Sequence, residues 1–295
     1  MKLALFSAVL LLAHHSAESA LIGWWKQDEL TGPNIVDATG QNPEAAQNGS
    51  PIYGTPGVPN GVYGSIVVGS AQGTSIGYGP STADATFITG TTNENPVMDI
   101  DATGQLTVMG WLRPAAPELT TAHVYRMLST GSAAGGDFGW GLGLRWSLVN
   151  NVLEPFARFT AYGVVDKDVR IEPTSVTADQ WIHLAATYDN GVTTLYFNGD
   201  LLGVHADTRL FGNDSVNNRL VIGGRLGGSN NEQANGLIDG LRVYNNVLSD
   251  QEIRAAAAAS VSAVPEPAVM LLGLVGAPLL ALARRRSPRS TLRTR

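Results

Sequence analysis

Short runs in which apolar and polar residues alternate, broken every few positions by Gly, Asn, Asp or Pro, make up most of the chain and predict strands. Gln105 to Arg113 alternates, with Leu106, Val108, Gly110 and Leu112 on one face, and stops at Pro114. Tyr125 to Thr130, Gly139 to Leu148 and Val152 to Tyr162 continue this character between Gly-rich or Asn-Asn breaks. Trp181 to Tyr188, Val192 to Phe197 and Leu201 to Val204 are separated by Asp189-Asn190-Gly191 and by Asn198-Gly199. Both breaks admit positive φ, so the three runs predict a meander. Leu21 to Glu29 opens the series of strands, and Leu220 to Gly224 adds another near its end. Between Asn48 and Asn95 the density of Gly, Ser, Thr, Asn and Pro predicts short strands joined by long loops. Helix is signalled at Ser249-Asp250-Gln251-Glu252, a capping box opening a short helix into an alanine run. Many short strands and one short helix predict an all-β fold, an antiparallel two-sheet sandwich forming one domain.

One stretch conflicts with the pattern. In Gly236-Leu237-Ile238-Asp239-Gly240-Leu241-Arg242-Val243-Tyr244, counting in twos puts Asp239 on one face with Leu237, Leu241 and Val243. An ionised carboxylate on a buried face is costly unless a cation or several donors compensate it. The face is therefore expected to be wet at Asp239 or to hold something positive there.

Both ends of the chain read as addressing. Lys2, an apolar run from Leu3 to Leu12, and small residues around Ala17, Ser19 and Ala20 follow the order of a secretory signal peptide over residues 1–20. At the other end, after an expected linker over 257–263, Pro265-Glu266-Pro267 is followed by an apolar stretch from Ala268 to Ala283 and by Arg284-Arg285-Arg286. That hydrophobic C-terminal tail has 16 residues, short for a membrane-spanning helix of about 20. Its basic flank, including the tail 287–295, would stay cytoplasmic. The arrangement over 264–286 resembles the PEP-CTERM sorting signal of Gram-negative bacteria. The resemblance implies transient membrane insertion, recognition by an exosortase-type protease, and delivery to the cell surface or extracellular matrix. A plain uncleaved anchor is the competing reading.

Residues 21–263 hold 12 Lys+Arg and 23 Asp+Glu, a formal charge of −11. Such a surface repels nucleic acid and anionic membranes. The chain has no cysteine, which excludes a disulfide framework.

Several segments, in order, resemble the laminin-G-like, concanavalin A-like jelly-roll family. Trp25 to Gly32 is similar to its first-strand pattern W-x-x-D/E-E-x-x-G, and Val36-Asp37-Ala38-Thr39-Gly40 to the D-x-S/T-G that follows. Leu106 to Pro114, Trp181 to Gly199 and Gly236 to Leu248 match three further strand motifs. The resemblance covers residues 21–256, strongly in the second half and poorly between Asn48 and Asn95. It implies a jelly roll that binds carbohydrate or protein, often with a structural Ca2+. On that basis Asp28 and Asp239 occupy the matching metal positions, with Glu29, Asp37 and the carbonyl of Gly40 as additions. The alternative for Asp239 is an acceptor of backbone N–H groups or a partner of an arginine.

Other chemistry is weakly signalled. Glycoside hydrolysis on such a fold needs two carboxyl groups about 5 to 9 Å apart across a cleft. No Glu-x-Asp-x-Glu spacing occurs, and Glu118, Glu154 and Glu172 fall in separate segments. The histidines outside the leader, His123, His183 and His205, are scattered and form no metal-ligand pattern. Trp25, Trp111 and Trp181 coincide with core positions of the family the chain resembles, which implies packing, whereas Trp140 and Trp146, in a Gly-rich segment, are candidates for an exposed sugar-stacking platform. The sequence thus predicts a non-catalytic, exported module that binds an extracellular glycan or matrix component. A polysaccharide hydrolase or lyase on the same fold, and a purely structural matrix protein, are the alternatives.

Overall fold

The computed structural model describes residues 21–69, 73–78, 86–89, 104–116, 124–131, 139–147, 152–160, 168–170, 176–206, 219–224 and 232–259. The expected signal peptide over residues 1–20, Pro265 to Pro267, the apolar stretch from Ala268 to Ala283 and Arg284 to Arg286 lie outside them. The chain begins with β1 (Leu21–Trp25), β2 (Asn34–Ile35), β3 (Ala45–Asn48), β4 (Ile52–Pro56), β5 (Gly61–Tyr63) and β6 (Ile66–Val68). It continues with β7 (Thr74–Tyr78), β8 (Thr86–Thr89), β9 (Gln105–Pro114), β10 (Val124–Gly131), β11 (Gly139–Ser147) and β12 (Val152–Thr160). Next come β13 (Asp168–Arg170), β14 (Ile182–Asp189), β15 (Val192–Phe197), β16 (Asp200–Ala206), β17 (Arg219–Ile222), β18 (Gly236–Tyr244) and α1 (Asp250–Ala258). Among the described residues no helix is long and apolar enough to cross a membrane.

Two large antiparallel sheets form the expected sandwich. The first runs β16-β15-β14-β9-β18-β7-β4, with β1 also on β18; the second runs β13-β12-β11-β10-β17-β8-β3-β2. The β14–β15–β16 meander turns at Asn190-Gly191 and Asn198-Gly199, and all four residues have positive φ, 45°, 100°, 50° and 80°. Alternate residues from both sheets meet in the core. Leu106, Val108 and Leu112 of β9 and Leu184 and Ala186 of β14 come from one side, and Leu142, Leu144, Leu220 and Ile222 from the other.

The outer face of the first sheet is also covered. The β5–β6 hairpin and α1 lie over it, burying Val58, Ile66, Val68, Trp111, Trp181 and Ala257 in one cluster and Met109, Ala185, Tyr196, Tyr244 and Ile253 in another. α1 opens with the expected capping box, the Ser249 N–H donating to Glu252 at 2.7 Å and the Glu252 N–H to Ser249 Oγ at 3.4 Å. The helix runs through Ala258, so the first two residues of the expected 257–263 linker belong to it. It has no basic residue in its own last turn. Arg242, buried on β18, supplies the cation, donating to the carbonyls of Ala256 at 2.5 Å and Ala259 at 3.2 Å.

The face expected for Asp239 is corrected by a bulge. Asp239 stands opposite Trp111 and Arg242 opposite Met109, so two residues of β18, Gly240 and Leu241, face Gly110 of β9 alone. Gly240 has φ +57°, the conformation the extra residue needs. The alternation therefore resets: Ile238, Leu241 and Val243 enter the core, while Asp239, Arg242 and Tyr244 point to the outer side with Trp111 and Met109. Gly110 makes the reset sterically feasible, because a Cβ there would lie 2.6 Å from Leu241 Cδ2.

Candidate functional site

Two places in this frame gather polar or aromatic groups that could act on a partner. The first lies where β18 changes neighbours: its start pairs with β7 through Ile238, and its end pairs with β1 from Leu241 onward. The chain leaving β1, residues 26–29, passes this gap in the ladder. Asp239, with no exposed surface, accepts the Val58 N–H at Oδ2 (3.1 Å), while its Oδ1 is buried without a hydrogen-bond partner. Asp28 Oδ1 accepts the Thr74 N–H at 2.8 Å, and a Cβ on the adjoining Gly73 would sit 2.1 Å from it. The Gln27 Nε2, Glu29 Oε2 and Thr74 Oγ1 atoms are likewise buried and unpartnered.

The electrostatics follow from this crowding. Burial raises the Asp239 pKa to about 8; the nearby Asp28 charge adds to the rise, while the Val58 and Gly240 N–H groups and Arg242 oppose it. Burial also raises Glu29, and Asp28 contributes there as well. The structure thus brings Asp28 and Asp239 into electrostatic contact, with Glu29 alongside Asp28 but turned to the Val36 N–H at 3.0 Å. Among the described residues, no three His, Asp or Glu side chains group as a metal cluster.

Asp37 is committed elsewhere. The two Asp37 oxygens accept six hydrogen bonds, from the N–H groups of Trp24, Thr39, Gln41 and Asn42, the Thr39 hydroxyl and the Asn42 amide. A carboxylate so saturated organises its own turn and has no lone pair left to give an ion. Gly40 closes that turn, donating its N–H to the Asp37 carbonyl at 3.0 Å.

His183 belongs to the outer layer of the first sheet, directly across from Trp111. Its ring meets the Trp111 ring edge-on at 5.0 Å, and both its nitrogens are buried without partners. Burial, helped by the Arg242 charge, lowers its pKa to about 3, so it stays neutral and is no acid–base group near pH 7. His205 is exposed on β16; His123, Glu118 and Glu172 lie outside the described residues.

The exposed platform expected of Trp140 and Trp146 is not found. Both are buried, 2% and 6% exposed, and pack in the inter-sheet core with Leu142 and Leu144. The four share one face of β11 because they lie two residues apart, and that face looks toward the other sheet.

The second place is a groove on the outer side of the first sheet. The β5–β6 hairpin forms one wall, the start of β14 and the turn before it another, and the β15–β16 turn the floor. One cavity of about 480 Å³ is lined by Tyr63, Gln180, Trp181, Phe197 and Asn198 among others. A second, of about 330 Å³, shares Gly64, Phe197 and Asn198 with it and continues past Asp200 to Leu201 and Leu202. The walls are pinned: the Ser65 N–H donates to the Asn198 carbonyl at 3.0 Å, the Ser65 hydroxyl to Asp200 Oδ1, and the His183 N–H to Asn198 Oδ1 at 2.8 Å. The Tyr63 ring meets Trp111 edge-on at 5.0 Å. Sequence reading missed this groove because its lining comes from three distant segments.

Comparison with known proteins agrees with this architecture. A laminin G family model, described as the concanavalin A-like lectin/glucanases superfamily, matches residues 84–254. Domain 4 of AbnA, a GH43 extracellular arabinanase from Geobacillus stearothermophilus solved with arabinotriose, is 18% identical with a TM-score of 0.50, over 81% of this chain and 98% of that domain. The binding domain of Botulinum neurotoxin DC is similar in two complexes. With rat synaptotagmin II it is 14% identical, with a TM-score of 0.51 over 80% of this chain and 50% of that one. With SialylT it is 15% identical, with a TM-score of 0.52 over 80% and 50%. The chain thus spans about half the length of the neurotoxin domains. No curated protein matches it. At these identities the solved structures speak for the fold, which binding domains and a domain of a glycosidase share. The family model covers more than half of the chain, and the protein belongs to the concanavalin A-like lectin/glucanases superfamily through its laminin G family.

Proposed function

We propose that this protein is an exported, surface- or matrix-associated recognition module that binds an extracellular glycan and does no chemistry on it. The observation that carries this reading is the groove beside Trp181, which presents the half-buried rings of Tyr63 and Phe197 and several amides but, among the described residues, a single carboxylate, Asp200. Aromatic faces with a few fixed polar groups are the usual furniture of a small-ligand site.

A hydrolytic reading has one observation to meet. Asp239 is a buried carboxyl whose pKa burial raises to about 8, and Asp28 lies near enough to add to the rise, so the two carboxyl groups resemble a catalytic pair. Asp239 has no exposed surface, however, and neither carboxylate lines the groove, which favours a role other than hydrolysis for the pair.

The pair suits an ion better. Asp239 Oδ1 is a buried oxygen without a donor, and the Asp28 carboxylate lies close enough to act on it, two hard-oxygen groups of the kind that Ca2+ takes. In this proposal Asp28 and Asp239 hold a structural Ca2+, which neutralises the niche and fixes residues 26–29 against β18. The sorting signal, its removal by an exosortase-type protease and surface delivery complete the proposal.

A glycan array probed with the full-length protein tests the binding claim. Retention of a defined group of glycans is expected; a blank array together with stable incorporation into exopolysaccharide would favour a structural matrix protein.

A further inference from the structure

Taking glycan recognition as the function, the structure goes further and indicates both where the sugar sits and what charge it carries. We propose that the groove between the β5–β6 hairpin and the β14–β16 meander binds an uncharged oligosaccharide of at least two pyranose units. In this arrangement Tyr63 and Phe197 offer ring surface, and Gln180, Asn198 and Asp200 offer hydrogen bonds.

Length comes from continuity. The two cavities, about 480 and 330 Å³, fall at the size of small-ligand sites and meet across Gly64, Phe197 and Asn198. A ligand in one therefore has its next unit in the other. Gly64 keeps the junction open: with φ +55° it would place any Cβ 2.6 Å from the Asn198 carbonyl.

Chemistry comes from the lining. A pyranose ring is apolar on its C–H faces and polar at its rim, so it asks for rings alongside amides and carboxylates. Tyr63 and Phe197 are half-buried, already packed on one side and open on the other. At the rim stand Val62 and Leu201, 73% and 56% exposed, among the large apolar residues left in solvent. Among the described residues no Lys, Arg or His lines either cavity, and Asp200 is the one charged lining residue. A uronate or sulfated sugar would meet a carboxylate and no cation, within a domain of formal charge −11.

Rigidity makes the site a binding site and not a mobile flap. The hairpin is held at its tip by Ser65 on Asn198 and Asp200, in its middle by Tyr63 on Trp111, and at its base by Val58 on Asp239. The Arg254 guanidinium further fixes the turn by donating to the Gly199 carbonyl at 2.9 Å. Little conformational freedom is left to lose on binding.

Isothermal titration of the full-length protein with cellohexaose, maltohexaose, mannohexaose and hexagalacturonate tests the assignment. At least one neutral hexaose binds, hexagalacturonate does not, and Phe197→Ala weakens the neutral ligand at least about tenfold, or about 1.4 kcal/mol. Leu201→Arg, at an exposed position that leaves folding intact, weakens it too and guards against a folding artefact of the core-facing variant. Neutral binding unchanged in both variants would place the glycan elsewhere, overturning the groove while sparing the function. Tighter binding of hexagalacturonate, or no binding of the three neutral hexaoses while the array retains other glycans, would also overturn the groove assignment. A blank array would remove the function itself.

Discussion

The backbone N–H of Val58 donates to Oδ2 of Asp239 across 3.1 Å, joining the base of the β5–β6 hairpin to the last strand of the sheet 181 residues later. The contact puts the buried carboxyl group of β18 and one wall of the groove in the same mechanical unit. It also leaves the other oxygen of Asp239 unpartnered, and on the proposal above that oxygen sets how stability responds to ions and protons.

Calcium addition is expected to raise the melting temperature of the wild-type protein and chelator to lower it. The gain is about 2.7 kcal/mol at a hundredfold excess over the dissociation constant. Asp239→Asn, which removes the negative charge but keeps an acceptor for Val58, abolishes the difference between calcium and chelator. A calcium response that survives this substitution would place the ion elsewhere.

Proton linkage in chelator separates Asp239 from His183. The folded Asp239 pKa, near 8, lies above its unfolded value, so between about pH 4 and 8 the folded chain holds a proton the unfolded chain has lost, and stability falls as pH rises. His183, lowered to about 3, acts oppositely: between about pH 3 and 6.5 the unfolded chain binds the extra proton, and stability rises with pH. The two slopes cancel from about pH 4 to 6.5 and leave a net decline up to about pH 8, of at most about 1.4 kcal/mol per unit. Relative to wild type, His183→Leu should lose stability as pH rises toward 6.5, and Asp239→Asn should gain it up to 8. Urea denaturation at several pH values reads both trends.

Asp37 should behave as an organiser of its turn and not as a metal ligand. Asp37→Asn leaves several of its six donors poorly matched and is expected to cost about 2 to 3 kcal/mol. The stabilising increment from calcium should be unchanged in this variant, which differential scanning calorimetry can measure.

Gly110 should tolerate no side chain. Gly110→Ala sets a methyl group 2.6 Å from Leu241 Cδ2 and 3.4 Å from Met127 Cε, so overpacking at the bulge is expected to cost about 1 to 3 kcal/mol in equilibrium unfolding. Trp140→Ala, by contrast, empties a core position at about 3 to 5 kcal/mol.

How far these features were legible in the sequence depended on how local their causes are. The meander was readable because Asn190-Gly191 and Asn198-Gly199 carry their turn geometry in the residues themselves. The helix start was readable because Ser249 and Glu252 cap each other three positions apart. Asp239 was grouped with Leu241 and Val243, which lie on the opposite face, because a bulge shifts the period by one and Gly240 alone does not announce it. The spacing of Ile238, Leu241 and Val243, three then two, held the clue. The strand over Trp140 to Trp146 was expected but its exposure was misread for a different reason: its glycines suggested an open face, although Trp, Leu, Leu and Trp at alternate positions already described one buried face. The groove depended on the hairpin folding back over the sheet, a contact between residues more than a hundred positions apart that no local pattern encodes.

The most direct test of a binder without catalysis is to incubate the full-length protein with a glycan it retains on the array, and to follow bound ligand and released reducing ends in the same sample. The account predicts saturable retention with the glycan recovered intact. Reducing ends accumulating with time in proportion to protein, and lost in Asp239→Asn, would contradict it.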